Sequence, residues 1–354
     1  MASLDISSMQ DVPENYIWYE DMDPPHSSAN ENDIIPVIDF QGLRRQEEEE
    51  NIIEQIGSAC KKWGFMQIIN HGISEKLLEN VSIQGRRLFS LPLEQKLKAK
   101  RAPDGVTGYG EARISPFFSK LMWSEGFTCV GSPVEDAKKL WPEDHQNFCE
   151  IIEEYEHAMK NLVKRMMSLI GRSLGLSTGD FMRRCRIQDD SYGKALQTGA
   201  LQMNYYPPCP QPLRTMGLAP HTDSACLTLL YQGEVAGLQI QHRGEWVTVP
   251  VIPNALIVNI GDLMQILSNG RYKSRLHRAV ANRSRSRLSI AYLWGPPPRD
   301  VIMPVPQLVD SKHPLLYKSL TWNEYLVAKS LHFDQALQLF SYNTSFSSDG
   351  NLSF

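Results

Sequence analysis

His221 and Asp223 stand one residue apart in LAPHTDSACLTLLYQ, a run of strand composition on both sides of a polar interruption. Side chains two apart on a strand share a face, so the imidazole and the carboxylate converge while Thr222 points the opposite way. Together they make two-thirds of a facial metal triad. Among the other histidines, His242 and His277 fall in β-type sequence. His242 sits beside Arg243-Gly244 in a hairpin-turn pattern that exposes it, whereas His277 lies inside the strand pattern of KSRLHRAVAN and is the third ligand expected. Two imidazoles and one carboxylate on one face leave three adjacent positions open on an octahedral ferrous ion, which suits oxygen chemistry. Zinc hydrolysis stays open on ligand type alone. A structural zinc site would close with four protein ligands, often thiolates, and no cysteine has matching spacing.

Ten residues beyond His277 come Arg287 and Ser289, again two apart. A guanidinium fork and a hydroxyl on one strand face bind a carboxylate with geometric specificity. A buried arginine needs an anionic partner, so an inward Arg287 implies a bound acid. Arg283 and Arg285 share this parity but lack the serine, and they read as turn charges. Asn204 and Tyr206 alternate on the strand MNYY and are placed to add hydrogen bonds to the same acid.

The elements that must hold these residues follow from periodicity. Residues 1–33 are polar and turn-rich and are expected to hug the surface or fray. IIPVIDF is a short strand, its proline marking a sheet edge. QEEEENIIEQIGSACKKWG has helical spacing of its apolar positions, with glutamates at the positive end of the macrodipole and lysines at the other. FMQIIN follows as a buried strand, and Ser74 is the N-cap of the next helix. His71, with no partner at useful spacing, is a structural turn residue. Residues 101–133 are rich in glycine and aromatics without steady period, either a lid over a pocket or packed irregular structure. A long amphipathic helix spans about 144–176. After Gly199, short β-type runs alternate with turn signals, which predicts an all-β barrel or sandwich and disfavours a doubly wound parallel sheet. The tail returns to helix. The organisation expected is a mixed region over 34–135, a scaffold helix region over 136–197, a β core over 198–298 and a helical cover over 299–354.

Composition narrows the function classes. The 354 residues carry a formal net charge of −4, which gives nucleic-acid binding no support. The hydrophobic fraction of 42% suits a packed soluble protein. The start lacks the basic and apolar regions of a secretory signal, and no stretch approaches the roughly 20 apolar residues of a membrane span. Six scattered cysteines without a Cys-x-x-Cys pair point to free thiols in a reducing compartment. A cytoplasmic monomer without membrane or nucleic-acid partners is the expectation.

His-Thr-Asp, a histidine about fifty residues later and Arg-x-Ser together resemble the iron(II)- and 2-oxoglutarate-dependent dioxygenases. NYYPPCP, GLQI, VNIGD, SNGRYKSRLHR and RLSIAYLWGP are similar to the plant branch of that superfamily, from about Ile34 to Gln338. TGYGEARISPFFSKLMWSEGFTCVGSP and KLWPEDHQNFCEIIEEYE resemble the gibberellin 3-beta-dioxygenases within it. Gln232-Gly233 departs from the Gln-Asp of many relatives. The resemblance implies a cupin-like double-stranded β-helix, a jelly roll flanked by helices. It implies that His221, Asp223 and His277 bind Fe(II). Arg287 and Ser289 would hold the distal carboxylate of 2-oxoglutarate, with Tyr206 and Asn204 assisting. Dioxygen and ascorbate as reductant complete the cofactors implied. The substrate implied is a diterpenoid acid hydroxylated at an unactivated C–H, with gibberellin 2- or 20-oxidation, flavonoid oxidation and a silent ligand-binding protein as the alternatives. Tyr109, Arg113, Phe117, Phe118 and Trp123 are the expected pocket wall. There Arg113 either pairs with the substrate carboxylate or forms a surface salt bridge.

Overall fold

In the computed structural model, which describes residues 6, 9–19, 34–185 and 199–342, the β-type runs pair into two large sheets, beside a two-stranded one made by Val301–Ile302 and Leu320–Thr321. The strands are β1 (Val37–Asp39), β2 (Phe65–Ile69), β3 (Gly108–Gly110), β4 (Glu125–Cys129), β5 (Gly199–Tyr206) and β6 (Leu218–His221). They continue with β7 (Leu227–Tyr231), β8 (Leu238–His242), β9 (Glu245–Thr248), β10 (Leu256–Ile260), β11 (His277–Ala279) and β12 (Arg287–Trp294). Eight form a major sheet in the order β1-β2-β10-β7-β12-β5-β4-β3, and four form a minor sheet, β6-β11-β8-β9. The first four strands belong to the major sheet, so the β core reaches back well before residue 198. Pro36 directly precedes β1, which is an edge strand, where a missing N–H costs no ladder bond.

Strand parity divides the major sheet into two faces. Along β12, Leu288, Ile290, Tyr292 and Trp294 join a large core with the helices, while Arg287 and Ser289 take the opposite parity and are also buried. The opposite face meets the minor sheet through Phe65, Leu238, Ile240 and Ile257. The site therefore lies between the sheets, and the helices back the other side.

The helices that matter are α1 (Gln46–Lys62), α2 (Glu75–Phe89), α3 (Leu93–Leu97), α4 (Val134–Leu140), α5 (Gln146–Ser173), α6 (Thr178–Arg184), α7 (Asp262–Leu267) and α8 (Trp322–His332). Ser74 caps α2 by accepting from Leu77 N–H at 3.2 Å, as its position in the sequence predicts. Gly85, inside α2, lets that helix lie on β12: a Cβ there would stand 2.8 Å from Leu288 Cδ2. The 28-residue α5 buries Ile152, Tyr155, Met159, Met166 and Ile170 against the sheet, each such side chain contributing roughly 1.5–3 kcal/mol. His71 is the structural residue expected, its Nε2 2.8 Å from the Asn254 carbonyl oxygen.

The N-terminal segment does more than hug the surface. Ile6 and Tyr16 are buried, Trp18 N–H donates to Arg214 O at 2.8 Å, and Leu121 N–H donates to Asn15 O at 2.8 Å. Residues 1–5, 7–8 and 20–33, also expected at the surface, lie outside the described residues.

All six cysteines are free and buried. Burial pushes each of their thiols upward from the ordinary value.

Glu156, partly buried on α5, is raised from 4.5 to about 7, first by burial and then by the charge of Glu153. Its Oε1 has no hydrogen-bond partner among the described residues. A carboxyl held above its unfolded value keeps its proton longer in the folded chain, so its contribution to stability falls as pH rises from 4.5 through 7. The displacement corresponds to at most roughly 3 kcal/mol above pH 7. Glu156→Gln is expected to raise the Tm by a few degrees at pH 8 and to leave it unchanged at pH 5. Melts at the two pH values check this; an equal shift at both would exclude ionisation as the cause.

Candidate metal centre and its neighbouring cation

His221 ends β6 and His277 begins β11, and the antiparallel register sets them opposite one another, with ring centres 4.2 Å apart. Asp223 is not on a strand. The ladder of β6 stops at His221, and Asp223 lies in the connection to β7. The expected convergence survives because the backbone is held there: Asp262 N–H donates to Asp223 O at 2.8 Å. Asp223 Oδ1 stands 3.8 Å from His221 Nε2 and 3.7 Å from His277 Nε2. One ligand atom from each residue lies within 4.8 Å of the others, which makes these three the metal-ligand group among the described residues.

The surroundings fix which atoms face the centre. His221 Nδ1 is 2.8 Å from Ala219 O and His277 Nδ1 is 3.1 Å from Arg275 O. A carbonyl only accepts, so each Nδ1 carries a proton and each Nε2 is the nitrogen turned to the centre, the orientation a metal requires. Asp223 Oδ2 accepts from Thr228 Oγ1 at 2.6 Å and from Asn259 Nδ2 at 2.7 Å, which leaves Oδ1 toward the histidines. Burial, then the neighbouring His277, lowers the His221 imidazole to about 3, keeping it neutral. Burial alone would raise the Asp223 carboxyl, but the two histidines and the bonds from Thr228 and Asn259 outweigh it and lower it. Phe65 sets its ring edge-on to His277 at 5.3 Å. The donor set of two imidazoles and one carboxylate fits a divalent iron ion.

Thr228 and Asn259 were not singled out from sequence. Their signal was nevertheless present, since each is a polar residue inside an otherwise apolar strand, LTLLY and LIVNI.

Arg287 is 3% exposed. Its Nε donates to Val235 O at 3.1 Å, and its guanidinium carbon lies 5.0 Å from the centre of the Tyr206 ring. No carboxylate among the described residues pairs with it. Burial therefore lowers the guanidinium below its ordinary value, with Tyr206 opposing that. An uncompensated buried cation is costly, and an anionic ligand is what relieves it. The register of β12 on β5 places Tyr206 opposite Arg287 and Asn204 opposite Ser289, so the four residues expected around an acid are neighbours. Gly237 admits the arginine: a Cβ there would lie 2.8 Å from Arg287 Cδ. Val280, whose N–H donates to Gly237 O, is three residues past His277, or about 10 Å of strand.

The expected wall separates into two groups. Trp123 is fully buried, packs edge-on to Tyr16 at 5.3 Å, and donates from Nε1 to Pro207 O at 3.2 Å. Tyr109 is 5% exposed and donates to Glu125 Oε2 at 2.7 Å, beside the buried Lys96–Glu125 ion pair. Both are buried, with the Tyr109 hydroxyl and the Trp123 Nε1 hydrogen-bonded to protein groups. Phe117 and Phe118 instead meet Phe333, with ring centres 4.7 and 5.4 Å apart, and Phe118 also meets Trp18 at 5.2 Å. Ala112, Ile114, Phe118 and Leu218 pack against the cluster of Met122, Met216 and Ala219, the last of them two residues from His221, so this loop lies against the metal end of β6. Arg113 is exposed between them, close enough to Arg101 that the two cations repel, and it has no ion-pair partner among the described residues.

Comparison with known proteins agrees with this geometry. Residues 197–296 match the 2OG-Fe(II) oxygenase superfamily, and residues 35–148 match the non-haem dioxygenase in morphine synthesis N-terminal family. The chain is 47% identical to gibberellin 3-beta-dioxygenase 1 of Arabidopsis thaliana over 343 residues, covering 95% of this chain and 92% of that one. It is 47% identical to gibberellin 3-beta-dioxygenase 1 of Pisum sativum, covering 94% and 88%. Among solved structures it is similar to JOX2 in complex with 2OG, Fe and JA, with a TM-score of 0.77 at 32% identity, covering 91% of this chain and 90% of that one.

Proposed function

The chain belongs to the iron(II)- and 2-oxoglutarate-dependent oxygenase superfamily, and from that premise we propose that it is a gibberellin 3-beta-dioxygenase, hydroxylating an unactivated C–H of a gibberellin. The observation that carries this is the pairing of a buried His-Asp-His centre with a buried, uncompensated arginine, in a chain similar along most of its length to enzymes of that name.

When bound, iron with 2-oxoglutarate and dioxygen supplies an oxidant strong enough for a C–H bond. The protein supplies ligation, orientation and exclusion of water. His221, Asp223 and His277 would hold the ion through Nε2, Oδ1 and Nε2. Thr228 and Asn259 occupy Asp223 Oδ2, so the carboxylate would offer the ion Oδ1 alone. Arg287 and Ser289 take the distal carboxylate of 2-oxoglutarate, with Tyr206 and Asn204 completing its hydrogen bonds. The Phe117–Phe118–Phe333 contact with Trp18 covers the metal end of β6 and presents the apolar surface a diterpenoid needs. Arg113, at the edge of that cover, holds the substrate carboxylate, and an anion there relieves its repulsion with Arg101. The buried free thiols support a reducing, cytoplasmic setting, and we propose a monomer.

Incubation with iron(II), ascorbate, 2-oxoglutarate and a panel of gibberellins, with the hydroxylated carbon mapped by mass spectrometry, tests the assignment; product oxidised only elsewhere on the skeleton would overturn it. Arg113→Ala is expected to raise the gibberellin KM about ten- to a hundredfold, the worth of a charged hydrogen bond, with 2-oxoglutarate kinetics unchanged. An unchanged gibberellin KM would remove Arg113 from the substrate site.

A further inference from the structure

Thr222 lies between two metal ligands and faces away from the metal, and its hydroxyl is not idle. It donates to Asp262 Oδ2 at 3.0 Å and accepts from Lys329 Nζ at 2.5 Å. Lys329 also donates to Asp262 Oδ2 at 2.8 Å, and Tyr325 donates its hydroxyl to the same oxygen at 2.6 Å. Asp262 is 1% exposed and Tyr325 is fully buried, while the Lys329 side chain is 13% exposed, so the ion pair is largely withdrawn from solvent. Asp262 belongs to α7 and contacts the metal loop a second time through its backbone bond to Asp223 O. Lys329 and Tyr325 lie on α8, more than a hundred residues after the metal loop.

We propose that Lys329, Tyr325 and Asp262 form a latch by which α8 positions the His221–Asp223 loop for iron, with Thr222 as the point of attachment. Stability alone is a weak reason for this cluster, because replacing a buried ion pair with apolar residues is often neutral or stabilising. A helix needing only an anchor could use the aliphatic residues it already has. The cluster is instead directed at the residue between two ligands, in a loop that lies outside any strand ladder and therefore lacks ladder bonds to fix it. Groups that orient metal ligands from behind are typically worth ten- to a hundredfold in metal affinity. The latch also joins the metal to the aromatic cover, since Lys329 Nζ lies 5.9 Å from the Phe333 ring, which stacks on Phe117.

The latch rests on the metal reading of the triad and not on the identity of the substrate. Its test is an anaerobic titration of the full-length metal-free chain with Fe(II) in saturating 2-oxoglutarate, read by the metal-to-co-substrate charge-transfer absorption. The succinate formed per hydroxylated product is measured alongside. Lys329→Met and Thr222→Val are each expected to weaken Fe(II) binding about ten- to a hundredfold and to raise the succinate-to-product ratio. Thr222→Ser, which keeps the hydroxyl, is expected to restore affinity to within about threefold of the parent. Leu331→Ala, on the exposed side of α8, is the control without effect. If Lys329→Met does not fold, Thr222→Val carries the test, since it removes one hydroxyl at nearly constant volume. Unchanged Fe(II) affinity and an unchanged product ratio in folded Thr222→Val would overturn the latch and leave the triad standing. A parent chain that binds no Fe(II) would overturn both.

Discussion

Asp223→Asn is expected to abolish Fe(II) binding and hydroxylation together, while the protein still folds. The substitution is isosteric, so packing is preserved, but the amide cannot serve both sides of the site. Thr228 and Asn259 both donate to Oδ2, which needs an acceptor, and the amide oxygen meets that need best. The amide nitrogen then faces the two histidines, where it offers N–H groups in place of a lone pair. The carboxylate charge that a divalent ion requires is lost as well. Affinity should fall by more than the roughly 100-fold that marks the upper range for losing a partner behind a ligand. An anaerobic Fe(II) titration with circular dichroism in parallel checks this. A variant that binds Fe(II) like the parent would mean that Asp223 is not a ligand.

Arg287→Met should act in opposite directions on two observables. For the ligand-bound protein, removing one partner of a buried charge pair costs roughly 3–5 kcal/mol, so 2-oxoglutarate affinity should fall by about 10²–10⁴. For the ligand-free protein the sign reverses. The guanidinium is buried with no carboxylate among the described residues, and a methionine of similar length has no charge to desolvate. The ligand-free variant should therefore melt at a higher temperature than the parent, while losing the stabilisation that 2-oxoglutarate confers by binding. Melting curves with and without 2-oxoglutarate, at saturating Fe(II), give both numbers. Unaltered co-substrate affinity would refute the assignment of Arg287. A lower melting point for the ligand-free variant would show that the protein already compensates the charge.

The chemistry was legible in the sequence largely through strand parity. Arg287 with Ser289 and Asn204 with Tyr206 could be paired because i, i+2 spacing survives whatever sheet the strand joins, and their cross-strand register then made the four neighbours. His277 was recognisable as strand, but its placement opposite His221 depends on the pairing of β11 with β6, which no local pattern encodes. His-x-Asp pointed to two side chains that the structure does bring together, although Asp223 is held by the α7 backbone and not by a ladder. The aromatic stretch before Pro133 was the least legible. Composition does not distinguish a Trp123 that packs on Tyr16 from a Phe118 that covers the metal end of β6, because their partners lie a hundred or more residues away. Lys329 was missed for a similar reason. Its helix leaves Val327 and Leu331 exposed on its outer side, so the pattern does not mark one partly buried ammonium as special.

The state of the sulfur atoms bears on how long such a catalyst lasts. Iron, ascorbate and dioxygen together generate stray oxidants whenever turnover misfires, and the thiolate is the form of cysteine they attack. With all six thiols enclosed and held in the protonated form, cysteine is a poor target. Thioethers gain no such protection from protonation, and Met122 and Met216 pack with Ala219, two residues from His221. Wear in the working enzyme should therefore accumulate as sulfoxide at these two methionines, and its useful lifetime should be set there and not by disulfide formation.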